Sequence, residues 1–319
     1  ALHLQLGHPS EHQLKTVVNR YLFALDMPKA VERVTKMCHT CSSLMTSPKG
    51  LIAQSSIDPP ESVGIMFAAD VFRRERQIIL VVRECVTSLT VSTLIENERH
   101  DTLRDALIIA CIEFRPLEGP SCVVRIDCAV GFQALVNDKL LKRHNIEIEL
   151  GRTKNVNKNP IADKAVKELE DEIVKMYPRA GRVSNIDLAI ATSWLNTRIR
   201  NRGLSSREMW YQRDQFTNAQ LPIEDLDIIT SQHKIRQDNP RHSERSKAAG
   251  HSQLSPHTIR VGDLVYLYSD KDKHKCRERY IVVATEGEWC TIKKFSGSQL
   301  RKTSYRVNAS ECFIVPSNE

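Results

Sequence analysis

Between residues 65 and 95, apolar and polar positions fall into three short stretches, 65–72, 77–85 and 88–95, each bounded by charged or turn-forming residues. Their length and β-branched content predict three strands joined as a meander, the antiparallel start of a sheet. From 102 to 114 the period lengthens, and Leu103, Ala106, Leu107, Ala110 and Cys111 fall on one side of an amphipathic helix. Residues 122–127 are nearly all apolar, the pattern of a strand buried on both faces of a mixed sheet, and Asp127 ends it. The pattern then predicts a helix over 132–144, a strand over 146–150 and a loop rich in Lys and Asn over 151–159. Asn159-Pro160 supplies a capping residue followed by proline at the first turn of a long helix. Ala162, Val166, Leu169, Ile173 and Met176 form its buried stripe, with Asp163 at the stripe's edge.

The two ends of the chain are patterned differently. Leu14, Val17, Val18, Tyr21 and Leu22, then Val31, Val34 and Met37, recur at helical spacing. At the other end, apolar alternation over 260–268, 279–284, 289–295, 303–307 and 312–315, with turns at 269–272 and 286–288, predicts a small five-stranded SH3-like barrel. Segment 42–63, with Ser47-Pro48-Lys49-Gly50 and Asp58-Pro59-Pro60, is polar and extended, and 230–257 is polar and basic, a second linker or a frayed helix. The expected organisation is multidomain α/β: a helical domain over 1–47, a linker over 48–63, an α/β domain with a mixed sheet over 64–222, a linker over 223–257 and a β-barrel over 258–319.

A chain of 319 residues, 41% hydrophobic and 27% charged, has room for two or three ordinary globular domains. No apolar run approaches the ~18 residues of a bilayer span, so no membrane partner is expected. The sequence opens at Ala1 without a secretory signal, the expectation for a fragment or a processed product. Nine cysteines, most of them scattered through apolar strands, point to reduced, intracellular thiols. The net charge of +7 favours a polyanionic partner. The last 80 residues hold 14 Lys and Arg against 9 Asp and Glu, a surplus of 5.

Two sets of residues carry chemistry. His3 and His8, with four residues between them, and Cys38-His-Thr-Cys41 supply two imidazoles and two thiolates, the closed tetrahedral set of a structural zinc. Fewer than fifty residues bury little core, and a metal clip remedies that. His12 and His39 are weaker alternatives, because the Gly7-His8-Pro9 turn holds His8 and the Cys-x2-Cys turn points His39 outward.

The second set is acidic: Asp70 on a strand, Asp127 at the end of a strand and Asp163 at the start of a helix, 36 residues further on. Two hard cations ~3.5–4 Å apart need bridging carboxylates, and such a pair acts on phosphodiesters. Each acid also has a local role open to it: Asp70 as a turn cap, Asp127 in an Asx-turn before Gly131, Asp163 against the helix dipole. Together they favour the metal site. Lys158, Lys164 and Lys167 flank it, placed for DNA phosphates or, for Lys167, for pairing along a solvated helix face. Lys273, Lys275 and Arg277 on one hairpin and Lys293 and Lys294 on another suit the DNA backbone.

These motifs, in this order, resemble the integrases of LTR retrotransposons and retroviruses over essentially the whole chain. The resemblance is strongest at Asn155-Val-Asn-Lys-Asn-Pro-Ile-Ala-Asp163-Lys-Ala, which is similar to the segment carrying the third acid in a retrotransposon subset. It implies a zinc-binding N-terminal domain on His3, His8, Cys38 and Cys41. It further implies a ribonuclease-H-like core binding two Mg²⁺ (or Mn²⁺) on Asp70, Asp127 and Asp163, and an SH3-like C-terminal domain that binds DNA. Asp163 departs from the family's usual Glu and is one methylene shorter, and Asp127-Cys-Ala lacks the usual polar residue and Gly after the acid. The implied activity is a polynucleotidyl transfer: 3′-end processing of transposon DNA, then strand transfer into target DNA. Because one protomer carries one triad and two ends must be joined, at least a dimer is expected. The implied place of action is the nucleus, with a cytoplasmic virus-like particle as an earlier stage. The competing readings are a domesticated, inactive DNA- or chromatin-binding relative and a zinc-dependent interaction scaffold.

Overall fold

The computed structural model describes residues 1–22, 25–44, 60–151, 159–178, 181–200, 202–238, 259–270, 275–296 and 299–315. The chain begins with four short helices: α1 (Leu2–Gln5), α2 (Glu11–Tyr21), α3 (Met27–Lys36) and α4 (His39–Leu44). A reciprocal cap starts α2: Ser10 Oγ accepts from the Gln13 N–H, and Gln13 Oε1 accepts from the Ser10 N–H. Leu14 and Val18 of α2 pack on Val31 of α3, a core of three buried side chains.

Next come β1 (Met66–Arg74), β2 (Gln77–Glu84) and β3 (Thr90–Ile95), the predicted antiparallel meander, and then helix α5 (His100–Ile112). Strand β4 (Cys122–Ile126) runs parallel to β1, and β5 (Ile146–Leu150) runs parallel to β4. The sheet order is β3-β2-β1-β4-β5. It is a mixed sheet, with β3, β2 and β1 antiparallel and β1, β4 and β5 parallel.

The helix expected over 132–144 is broken into α6 (Val130–Gln133), a turn of 3₁₀ helix (Ala134–Asn137) and α7 (Lys139–Arg143). The break falls at Asp138, whose carboxylate accepts from the Leu140 and Leu141 N–H groups and starts a new helix. Leu135 and Leu141 are still buried, so the apolar positions were legible while the capping acid in their midst set the break.

Helix α8 (Pro160–Met176) covers the face of the sheet opposite α5. After it come α9 (Asn185–Thr197), α10 (Ser206–Tyr211) and α11 (Asp225–Asp238). The segment expected to be a linker from 223 therefore opens as a helix, and it packs: Ile228 and Ile229 are buried with Val86 and Met209.

The chain ends in a separate antiparallel sheet of β6 (Leu264–Leu267), β7 (Tyr280–Glu286), β8 (Trp289–Ser296), β9 (Gln299–Asn308) and β10 (Cys312–Ile314), ordered β10-β6-β7-β8-β9. Val265, Val282, Cys290 and Ile292 fill its core. Two compact bodies result, one holding β1–β5 with α5–α11, the other α1–α4 with β6–β10. Among the described residues no helix is long and apolar enough to cross a membrane.

Candidate metal centres and the acidic face

Strand alternation decides which way the acids face. Phe67 and Ala69 of β1 and Cys122, Val124 and Ile126 of β4 lie in the core with Leu103 and Leu107 of α5. The intervening positions point the other way. There Met66 and Ala68 pack against Ile161 and Ala162 in the first turn of α8. Asp70 follows Met66 and Ala68 at the same parity, and Asp127 follows Val123 and Arg125, so both acids belong to the face that α8 covers.

Register brings the two acids to the same end of one ladder. The parallel ladder pairs Met66 with Val123, Phe67 with Val124 and Ala68 with Arg125. The ladder closes at that pair; Asp70 continues β1 and Asp127 lies just past the end of β4, and the two charges are near enough to act on one another. Asp163 joins them from α8, its N–H donating to Asn159 O at 2.9 Å.

One side chain ties the three together. Asn159 stands at the N-cap position of α8, yet its amide reaches away from the helix: Nδ2 donates to Ala69 O at 3.0 Å and to Arg125 O at 3.1 Å. The sequence suggested a cap here, and the structure corrects that, since Asn159 Oδ1 takes no helix N–H.

The carboxyls feel one another. Asp70 is pushed up to about 6, first by burial, then by Asp127, Asp163 and Glu98, although the Val71 N–H donates to its Oδ1 at 2.7 Å. Asp163 is the most exposed of the three, and it too is raised, by the part of it that is buried and by Asp127. Oδ1 of Asp127 is buried with no hydrogen-bond partner among the described residues. A buried carboxylate oxygen in that state fits a hard cation.

Glu168, five residues beyond Asp163, belongs to a different network. Arg83 Nη2 donates to its Oε2 at 2.7 Å, and Arg200 Nη1 contacts both oxygens at 3.1 and 3.0 Å. Burial would raise this carboxyl, but Arg83, Arg200 and Lys164 hold it well below the usual range. Further along α8, Glu172 pairs with Arg198 and, at 2.9 Å, with Lys175. An arginine in the apolar run Leu80-Val-Val-Arg83 was the one sequence signal for this buried cluster.

The His–Cys set closes on itself. His3 Nε2 lies 3.3 Å from Cys41 Sγ, and His8 Nδ1 lies 3.2 Å from Cys38 Sγ and 3.9 Å from Cys41 Sγ; all four donor atoms lie within 4.8 Å of one another. Tetrahedral zinc, with Zn–N ~2.0 Å and Zn–S ~2.3 Å, needs N···S edges of ~3.5 Å, so the set could bind zinc. His8 is placed by left-handed backbone at Gly7 (φ 68°) and at His8 itself (φ 58°), which folds its N–H back onto His3 O at 2.9 Å. The Cys38 thiol is held below its usual range by Cys41, then by His3 and His8, against the opposing effect of burial. His12 and His39 stay outside the set. Among the described residues this is the one such donor group gathered closely enough for a single ion as it stands.

The basic residues divide. Lys164 and Lys167 are exposed on α8 beside Asp163. Lys158 and Lys273 lie outside the described residues. In the C-terminal segment Lys275 is exposed, Lys293 is half-buried and Lys294 pairs with Glu278 at 3.4 Å. Arg277 does not face solvent as expected for a DNA ligand. It is buried, donating to Ser43 O at 2.9 Å and Tyr268 O at 3.2 Å, with its guanidinium 5.3 Å over the Phe313 ring. Arg306, absent from the sequence-based set, is exposed and stacks 5.2 Å over Trp289.

No family model matches the chain, and no curated protein does. Among solved structures, the catalytic core domain of BIV integrase is similar at 20% identity and a TM-score of 0.38, over 47% of this chain and 95% of that one.

Proposed function

We propose that this chain is a retrotransposon-type DNA integrase, a polynucleotidyl transferase that trims transposon 3′ ends and joins them to target DNA. The observation that carries this reading is that Asn159, at the head of the helix bearing Asp163, bonds both β1 beside Asp70 and β4 two residues before Asp127, where the parallel ladder closes. Three carboxylates on one face, one with an unpartnered buried oxygen, make a hard-oxygen donor set for Mg²⁺ or Mn²⁺. Two such cations, when bound, activate a water or hydroxyl and stabilise the leaving oxygen. The chain's own part is to present the three carboxylates on one face and to orient DNA. Lys164 and Lys167 are suited to phosphates beside Asp163, with Lys158 a third such residue.

In this reading His3, His8, Cys38 and Cys41 hold a structural zinc that ties α1–α4 together. The C-terminal sheet is an SH3-like DNA-binding barrel, using Lys275, Lys293 and Lys294, with Lys273 a further candidate, through a backbone-directed and salt-sensitive interaction. The domain boundaries at 47, 63, 222 and 257 belong to the same proposal, except that α11 packs with the core body. So do assembly as at least a dimer and action in the nucleus.

A second reading, an inactive DNA- or chromatin-binding relative, is favoured by Asp163: its side chain is one methylene shorter than glutamate and more exposed than Asp70 and Asp127. Strand transfer of a labelled terminal-repeat duplex into plasmid DNA with Mg²⁺ separates the two. Joined product that disappears in Asp127→Asn supports the enzyme; DNA binding without any product across a panel of terminal repeats supports the binder.

A further inference from the structure

We infer that Asn159 is a positioning residue of the acidic site, the side chain that sets the distance of Asp163 from Asp70 and Asp127. The inference rests on the function proposed above. It starts from where the sheet stops. The β1–β4 ladder ends at the Ala68–Arg125 pair, and beyond that point the strands no longer supply donors to each other. Ala69 O and Arg125 O sit at this split, and Asn159 Nδ2 donates to both. Asn159 is 2% exposed, so its amide makes these bonds from a buried position.

Each bond lands next to an acid. Ala69 immediately precedes Asp70, Arg125 lies two residues before Asp127, and Asn159 O receives the Asp163 N–H. One residue thus touches all three elements that carry the carboxylates. The chemistry explains the residue type. A cap position ordinarily favours an acceptor aimed at the helix, which Ser, Thr or Asp supplies as well as Asn. Here two donors on a single short-reach nitrogen are required, and only Asn offers them; the opposite amide orientation would set Oδ1 against two carbonyl oxygens. Placement at this precision matters to catalysis, since a misplacement of ~1 Å costs on the order of 100-fold in rate.

The test uses the full chain with zinc. Asn159→Ala removes the donors, and Asn159→Asp removes them at nearly constant volume should the alanine variant fold poorly. Asn196→Ala is the control: Asn196 also bridges helix to strand, donating to Thr90 O at 2.7 Å and accepting from Thr90 N at 2.9 Å, but away from the acids. Melting temperature, Mn²⁺ binding by electron paramagnetic resonance, and the kcat and KM of strand transfer are measured for each. A positioning role predicts that either Asn159 variant lowers kcat by about 100-fold and weakens Mn²⁺ binding, with KM for DNA unchanged. Asn196→Ala should lose melting temperature and keep both. Asn159 variants with lowered melting temperature but wild-type kcat and Mn²⁺ binding would overturn the inference. Asp127→Asn is the separate arm: if it leaves Mn²⁺ binding and strand transfer at wild-type levels, the proposed function falls, and this inference with it.

Discussion

At the scale of single residues, the acidic face is defined by what the carboxyls do to one another. Asp70 holds its proton up to about pH 6, against an ordinary value of 3.8, because burial and the charges of Asp127 and Asp163 oppose ionisation. Folded chains therefore bind this proton more tightly than unfolded ones. The stability it contributes is complete below pH ~4 and is lost as pH rises through 6, for the metal-free protein. A cation competes with the proton, so Mg²⁺ affinity should fall as pH drops below about 6. Asp127→Asn should move Asp70 down from that value without restoring 3.8, since burial is the larger cause; a carbon-13 titration of the Asp70 carboxyl measures it. An unchanged Asp70 would mean that the two carboxyls are not neighbours. The acids themselves were legible in the sequence, from an acid on or at the end of each apolar run and one in the first turn of a helix. Asn159 was not, because Asn-Pro before a helix looks like a cap whether the amide turns to the helix or to two strands far away in sequence.

At the scale of elements, α8 is held on the sheet by charge as well as by its apolar stripe. Glu168 neutralises Arg83, which is 1% exposed, together with Arg200. Removing one partner of a buried pair leaves an uncompensated charge and costs about 3–5 kcal/mol. Glu168→Ala should lower unfolding stability by that order in a urea titration, and a loss under ~1 kcal/mol would show that the network is solvated. Strand and helix periods located β1–β5, α5 and α8 within a few residues, because each buries one face and the sequence must alternate to suit. The same signal ran through the break between α6 and α7. There Leu135 and Leu141 keep the apolar pattern while Asp138 caps a new helix, a decision made by two hydrogen bonds rather than by periodicity. Arg277 was misplaced for a similar reason: its neighbours Lys275 and Arg279 are exposed, and only the fold shows that Ser43 O, Tyr268 O and the Phe313 ring enclose it.

At the scale of the whole molecule, the small helical unit and the acidic core depend on different interactions, and chelation should separate them. Three buried side chains do not sustain α1–α4, so zinc removal should unfold them with loss of helical circular dichroism while the body holding β1–β5 keeps its melting transition. Zinc content of one equivalent, lost in Cys41→Ser, is the accompanying assay; metal-free protein with intact N-terminal helices would remove the zinc site. In the function proposed above, the acidic face requires its own cations and its third carboxylate. The most direct measurement is Mg²⁺-dependent strand transfer by Asp163→Asn beside wild type, with DNA affinity measured in parallel. Joining should be abolished while DNA binds equally or slightly more tightly, a negative charge near phosphate having been removed. Joining at the wild-type rate in Asp163→Asn would contradict a role for this carboxylate in the proposed chemistry.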